Sequence, residues 1–388
     1  MDAIEDILRI AQCPGVGPRT YSRLQQAFGS AQAILGASIQ ALGQVEGVDA
    51  GRAKQVLQAE TYDPRPELER AAACGVHLVS QEDPAYPQAL KNTFDPPILL
   101  YVKGHLKPSD GVALSVVGTR HPSHYGRAQG ERFGALLAQT GFTVVSGLAR
   151  GIDSAAHRGA LAARGRTIAV QGRGLAEVYP EENRDLADEV AASGAILSEL
   201  PMDTGPAPEN FPRRNRIIAG MSLGTLVIEA PARSGALITA RLANDLGREV
   251  FAIPGRIDQR AAAGVNDLIA QGQAKLVQGL EDILEEIGPV ADALRPRVGQ
   301  EATDPAEAPA SSQPSPSLEQ PSVEPQTRTA NAREEQVLAV LGADPVHIDD
   351  ICAQTGLPVH VVASTLMMLE LKRAVDQLPG KFYVPKHR

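Results

Sequence analysis

The sequence predicts an α/β protein built on an extended, doubly wound Rossmann-like sheet, with a helical module before it and a winged helix after it. Three observations carry that prediction. Between Gly111 and Gly288 one pattern recurs six times: a short apolar run, a glycine-rich or polar turn, and a helical stretch. Residues 1–62 show a helical period broken by two glycine turns, and residues 331–388 read as three helices followed by a hairpin.

The apolar runs lie at 112–117, 142–146, 167–171, 195–197, 225–229 and 249–253. Strands this continuously apolar, alternating with helices, belong to a parallel sheet covered on both faces. A ligand of such a sheet sits beyond the C-terminal strand ends. The chain of 388 residues exceeds what one hydrophobic core organises, so two or three domains are expected. With seven Phe, seven Tyr and no Trp, the cores must be built mainly from aliphatic side chains. Three scattered cysteines form no paired motif, which argues against a disulfide framework or a zinc site. No stretch approaches the ~20 apolar residues that span a bilayer, and the start MDAIEDILRI has no long apolar core. A cytoplasmic protein without membrane contact is expected.

In the first module, apolar residues at 4, 7, 8 and 11 mark a helix, and Cys13-Pro14-Gly15-Val16-Gly17 breaks it before Pro18 opens a second. This has the form of a helix-hairpin-helix, whose exposed backbone N–H groups hold a phosphate, with Arg19 and Arg23 at hand, or which serves packing alone. A second copy, Val45-Glu46-Gly47-Val48-Asp49, puts an aspartate where the second glycine would stand, and that charge repels a phosphate. Residues 63–107 read as a helix, a short strand at 76–80 and a strand at 98–102, an extension of the central domain that runs to 288.

The ends of the predicted strands share a chemistry. They carry Gly118-Thr119-Arg120, Ser146-Gly147-Leu148-Ala149-Arg150-Gly151, Gly172-Arg173-Gly174, Ser198-Glu199, and Glu229-Ala230 followed by Ser234-Gly235. Glycine admits close backbone approach and arginine forks onto phosphate oxygens, so these loops assemble a polyanion site. The GxG at 172–174 lacks the spacing of a dinucleotide fingerprint, and no cofactor is expected. Phe211–Gly220, FPRRNRIIAG, crowds Arg213, Arg214 and Arg216 beside an aromatic ring, and no acidic residue occurs from Asn210 to Ile228. In a protein of net charge -9 this is either concentrated positive potential for phosphates and unpaired bases, or a helix start whose arginines pair with carboxylates elsewhere.

The series SVVGTR (115–120), SGLARGID (146–153), LSE (197–199), FPRRNRIIAG (211–220), VIEAPARSGALITA (227–240) and REVFAIPG (248–255) resembles the DprA/Smf family of bacterial natural transformation. The resemblance implies binding of single-stranded DNA without sequence preference, protection of incoming strands, loading of the RecA recombinase, homodimerisation through the Rossmann domain, and no catalysis. Carried over by motif, the DNA-binding residues are Gly118, Arg120, Ser146, Gly147, Phe211, Arg213, Arg214 and Arg216. Arg184, after the YPEEN turn, is a further phosphate contact set among acidic neighbours. Residues 214–230 also resemble nucleotide phosphoribohydrolases of the lysine-decarboxylase-like group. Their glycine-rich loop is altered here, and Glu229 lacks the second carboxylate that acid-base work needs.

Other features give weaker signals. Asp153 and His157, one helical turn apart, are expected to pair and fix a helix start. His121 and His124 have no third ligand nearby, so no metal is expected. Val265, Leu268 and Ile269 make an apolar stripe at 264–272, read as a contribution to a two-fold dimer face or as packing on the sheet. Residues 289–330 hold seven prolines from Pro296 onward and no aromatic, the composition of a disordered linker. The last domain has six Lys/Arg against seven Asp/Glu, which favours protein contact or weak DNA contact over sequence-specific reading of duplex by a regulator.

Overall fold

The computed structural model describes residues 3–294, 336–341, 346–357, 375–378 and 382–385, together with 362, 365, 366 and 369. The chain divides into two compact units, Met1–Ala302 and Thr303–Arg388.

The first unit opens with five helices: α1 (Ala3–Ala11), α2 (Pro18–Phe28), α3 (Ala31–Leu35), α4 (Ile39–Leu42) and α5 (Ala50–Gln58). Their starts are capped as helix ends require, by Ser30 on the Ala33 N–H, Ser38 on Ala41 and Asp49 on Arg52. Asp49 therefore has a structural reason to replace a hairpin glycine. Arg23, expected beside the first turn, reaches the second instead: it donates to the Glu46 carbonyl at 3.0 Å and pairs with its carboxylate at 3.3 Å. Ile7, Leu8, Tyr21, Leu24, Ile34 and Val56 form one core that extends onto Ile98 and Leu99, so the helical module is packed against the sheet region.

The rest of the unit adds α6 (Arg65–Ala73), β1 (Val76–Ser80), α7 (Gln88–Lys91), β2 (Leu99–Gly104), β3 (Ala113–Val117), α8 (His124–Gln139), β4 (Thr143–Ser146), α9 (Ile152–Ala162) and β5 (Thr167–Val170). There follow α10 (Arg184–Ser193), β6 (Ala195–Ser198), α11 (Asn210–Met221), β7 (Gly224–Val227), α12 (Gly235–Asp245), β8 (Glu249–Ala252), α13 (Ala263–Ala270), β9 (Lys275–Leu276) and α14 (Leu280–Leu294). The nine strands lie in the order β1-β2-β6-β5-β4-β3-β7-β8-β9. Strands β3 to β9 are mutually parallel, and β2 and β1 extend the edge antiparallel. All six predicted central strands form; β9, two residues long, was too short to carry a periodic signal.

Strand alternation divides the core. Val117, Val145, Val170 and Val227 face α11, α12 and α13, while Leu114, Val116, Val144 and Leu226 face α8, α9 and α14. The stripe of α13 belongs to the first layer: Val265 and Leu268 are buried against the sheet and Ile269 packs beside them. Val265 and Leu268 thus take the packing role of the two expected for the stripe. Gly134 lets α8 and α9 touch, since a Cβ there would stand 2.3 Å from the Ala156 carbonyl oxygen.

In the second unit, β10 (Val346–His347), α15 (Ile348–Thr355), β11 (Val375–Leu378) and β12 (Phe382–Pro385) form a three-stranded sheet, β10-β12-β11, and a helix. Val337, Ile351, Val362, Leu366, Leu369, Val375 and Tyr383 share its core, that of a winged helix. Linker residues 295–330 and the 379–380 turn lie outside the described residues; residues 289–294, expected in the linker, continue α14.

Asp153 and His157 do not pair. Asp153 accepts from the Gly147 and Ala149 N–H groups at 3.1 and 3.3 Å, whereas His157 Nδ1 bonds the Thr167 hydroxyl at 2.7 Å. Burial first, and the Arg214 charge second, push the His157 pKa down to about 3. Its neutral form is stable above the unfolded value near 6.5, and that stability is lost as pH falls toward 3, because the unfolded chain then binds a proton that the folded one refuses. Between pH 7 and 5 the loss attributable to this residue is about 2 kcal/mol. Denaturant melts of His157→Gln should show a correspondingly shallower decline than wild type; parallel pH curves would refute the assignment.

Candidate nucleic-acid interface

The chain runs from β3 outward to β6 and then crosses back to β7, so the strand order reverses at β3. At such a reversal the loops at the C-terminal strand ends part and leave a crevice. Two adjoining recesses occupy it, and both are lined by Arg120, Ala149, Tyr179, Phe211 and Arg214. The first continues over Gly147, Arg150 and Gln171 to Arg173. The second continues over Gly118, Arg233, Ser234 and Gly235 at the start of α12.

Arg214 forms the floor. It projects from α11 toward the sheet, is 6% exposed, and donates to the Gly147 carbonyl at 2.7 Å, to the Val170 carbonyl, and to Asn215 Oδ1 at 3.1 Å. Burial lowers its pKa to about 10, with the Asp153 charge opposing and that of Arg120 adding to the fall. Gly147 is required by this contact, because a Cβ there would lie 2.6 Å from the guanidinium. Asp153, buried in turn, has its pKa raised by desolvation, against the pull of Arg214 and of the N–H groups it accepts from. Asn215 also donates to the Gly235 carbonyl at 3.4 Å, tying α11 to the start of α12.

Above that floor stands an exposed cation on an aromatic platform. The exposed Arg120 lies over the Phe211 ring, 5.2 Å from its centroid, and the Tyr179 ring is 5.9 Å from that of Phe211. Arg150 and Arg173 each keep a carboxylate partner, Glu182 and Glu177, at 2.8 Å. Among the described residues, Arg120 and Arg233 have no ion pair.

The predicted residues divide. Gly118, Arg120, Gly147, Phe211 and Arg214 meet in the crevice. Ser146 does not: it is fully buried and donates to the Val116 carbonyl at 2.7 Å. Arg216 turns the other way, bonding the Glu199 carboxylate and the Asp95 carbonyl, with the Asp95 carboxylate at 3.5 Å. This is the carboxylate-paired alternative, and it anchors α11 rather than facing a ligand. Arg213 is exposed on another face, lining a hollow with Val16 and Gly17 of the first hairpin. Arg184 is exposed at the start of α10, 3.7 Å from Glu181 and outside both recesses. Tyr179, Arg150, Gln171, Arg173 and Arg233 complete the crevice; their signal was position alone, in the first residues after a strand or turn. Glu229 is buried and accepts from the Ser123 N–H at 2.8 Å and hydroxyl at 2.5 Å, which holds the start of α8.

Family comparison agrees with this architecture. Residues 77–288 match the model of DNA recombination-mediator protein A, residues 2–60 a DprA-like N-terminal HHH domain, and residues 305–381 the DprA winged helix domain. The chain belongs to the DprA/Smf family. Protein Smf of Synechocystis sp. is 37% identical over 391 residues, covering 96% of each chain. DNA processing protein DprA of Bacillus subtilis is 41% identical over 236 residues, 60% of this chain and 79% of that one. Among solved structures, DprA from Streptococcus pneumoniae superposes with a TM-score of 0.64 at 33% identity, covering 72% of this chain and 96% of that chain. DprA from Helicobacter pylori, described for its single-stranded DNA binding mode, gives 0.50 at 30% identity over 55% of this chain and 96% of that one.

The two crevice arginines of this DprA/Smf protein differ in what they support. Arg214→Ala leaves two buried carbonyls without their donor and removes a charge that favours the buried Asp153 carboxylate, and should cost about 3 kcal/mol of stability. Arg120→Ala, at the surface, should cost less than about 1 kcal/mol. Urea melts of the two variants, showing equal losses, would overturn this division of roles.

Proposed function

We propose that this protein captures single-stranded DNA in the crevice at the strand reversal, protects the incoming strand, and hands it to the RecA recombinase during natural transformation. The observation that carries the reading is the pair of recesses sharing Arg120, Phe211 and Arg214, where unpaired cations adjoin two aromatic faces. Arg120 and Arg233 neutralise phosphates of the strand, while Phe211 and Tyr179 offer their rings to bases. Arg214 holds the floor in shape beneath them. Because neither stacking nor phosphate contact reads sequence, any unpaired strand serves as ligand. The DNA-processing role of the family and the binding mode named for the Helicobacter relative support this reading.

The protein acts as a cytoplasmic binding protein, with a second copy of itself and RecA as partners. No helix among the described residues is long and apolar enough to cross a membrane. Hydrolysis of nucleotides is the less favoured reading, since Glu229 is committed to Ser123 and the start of α8. Binding of single-stranded and duplex oligonucleotides, followed by fluorescence anisotropy at two salt concentrations, tests the proposal. The single strand should bind at least about tenfold tighter, and Phe211→Ala should lose about tenfold on it. Arg120→Ala should reduce the slope of log affinity against log salt by about 0.7. Equal affinity for duplex, or turnover of nucleoside monophosphates abolished by Glu229→Gln, would overturn it.

A further inference from the structure

The second recess ends at the start of α12, where several hydrogen-bond donors have no acceptor. Its volume of about 630 Å³, against about 30 Å³ for the first recess, is enough to take a nucleotide. Arg233, Ser234, Gly235 and Thr239 line that end. The Ser234 hydroxyl caps the helix by accepting from the Ala236 N–H at 3.3 Å, while the N–H groups of Ser234 and Gly235 have no acceptor among the described residues. A Cβ at Gly235 would meet nothing within 4 Å, so this backbone faces open space. Thr239 follows one helical turn further in, on the same face of α12 as Gly235. It is 1% exposed. Among the described residues its hydroxyl has no hydrogen-bond partner, and the oxygen is not one of the sealed polar atoms, so it opens onto the recess that Thr239 lines. A buried hydroxyl left unpaired is costly, and one that opens onto a recess marks a place where a ligand completes the bonding.

These donors suit one kind of anion. An internal phosphate of a strand has chain on both sides, but the recess is backed here by Val117, Ile218, Ala236 and Thr239, all buried, so a chain cannot run on through it. A terminal phosphomonoester has chain on one side only, offers three free oxygens and carries a charge of about −1.5 to −2 at pH 7. Free N–H groups at a helix start, an unpaired guanidinium and two hydroxyls match those oxygens and that charge. Asp153, the acid among the lining residues, is offset by Arg214 and by the N–H groups it accepts from. Resting on the strand-binding reading above, we infer that the start of α12 holds the terminal phosphate of a single strand. The protein then takes phosphorylated strand ends in preference to strand interiors.

Fluorescence anisotropy on the full chain tests this with internally labelled oligothymidylates. One strand bears a 5′-phosphate, one a 3′-phosphate, and one has hydroxyls at both ends; a fourth, hydroxyl-ended and one nucleotide longer, adds a charge without a monoester. At least one phosphorylated strand should bind wild type about tenfold tighter than both hydroxyl-ended strands. Thr239→Val, close in shape but without the hydroxyl, should lose most of that preference while binding the hydroxyl-ended strands as wild type does. Phosphorylated strands that bind wild type no better than the longer hydroxyl-ended one overturn the inference while leaving strand binding intact. Failure of wild type to bind any strand overturns both. The comparison on wild type decides without the variant, so a folding defect in Thr239→Val does not obscure it.

Discussion

The crevice depends on one buried guanidinium. Arg214 reaches from α11 to carbonyls at the ends of β4 and β5 and so joins a helix to two adjacent strand ends at the point where the strand order turns back. Backbone carbonyls at such ends have no strand partner, and a cation with donors arranged as a planar fork can serve two of them together. Asp153 keeps the arrangement from accumulating positive charge, since its carboxylate sits close enough to raise the Arg214 pKa while it gathers the N–H groups of the β4 loop. Loop, floor and helix start are thereby parts of one polar assembly beneath the surface, and the exposed Arg120 and Phe211 rest on it.

How far this was legible in the sequence depends on what kind of signal each part carries. The central strands were readable because burial on both faces leaves unbroken apolar runs, and burial is what a hydrophobic pattern reports. The arginine cluster was only half readable. Successive residues of a helix are turned by about 100°, so neighbours in sequence are not neighbours in space. Arg213 is therefore directed to the hairpin, Arg214 to the sheet, and Arg216 to Glu199 and Asp95. Ser146 misled for a related reason: alternation along a strand places its hydroxyl inside, where it bonds Val116. Arg150, Arg173 and Tyr179 come from loops, and nothing in a loop's composition states which way its side chains converge; only the topology does.

The same distinction applies to the carboxylates. A rim that collects anions must not carry free negative charge of its own, and in a chain of net charge -9 that condition has to be built. Glu229 is tied to Ser123, Asp153, at the wall of the second recess, to two N–H groups, and Glu199 to Arg216. Each of these acids does a second task, capping a helix, closing a loop or anchoring α11, so its removal would loosen the scaffold as well as change the field.

That economy also bears on the choice between binding and catalysis. A carboxylate that acts as acid or base has to be able to exchange its proton with a ligand, which requires an open approach and a changeable set of hydrogen bonds. Glu229 has neither: both of its oxygens accept from Ser123, and its neighbourhood is the closed start of α8. What stays open at the crevice is cationic and aromatic, Arg120 and Arg233 above, Phe211 and Tyr179 beside them. Groups of that kind hold a polyanion with exposed bases and change no bond in it. The geometry therefore spends its acids on architecture and leaves its ligand-facing surface to attraction alone.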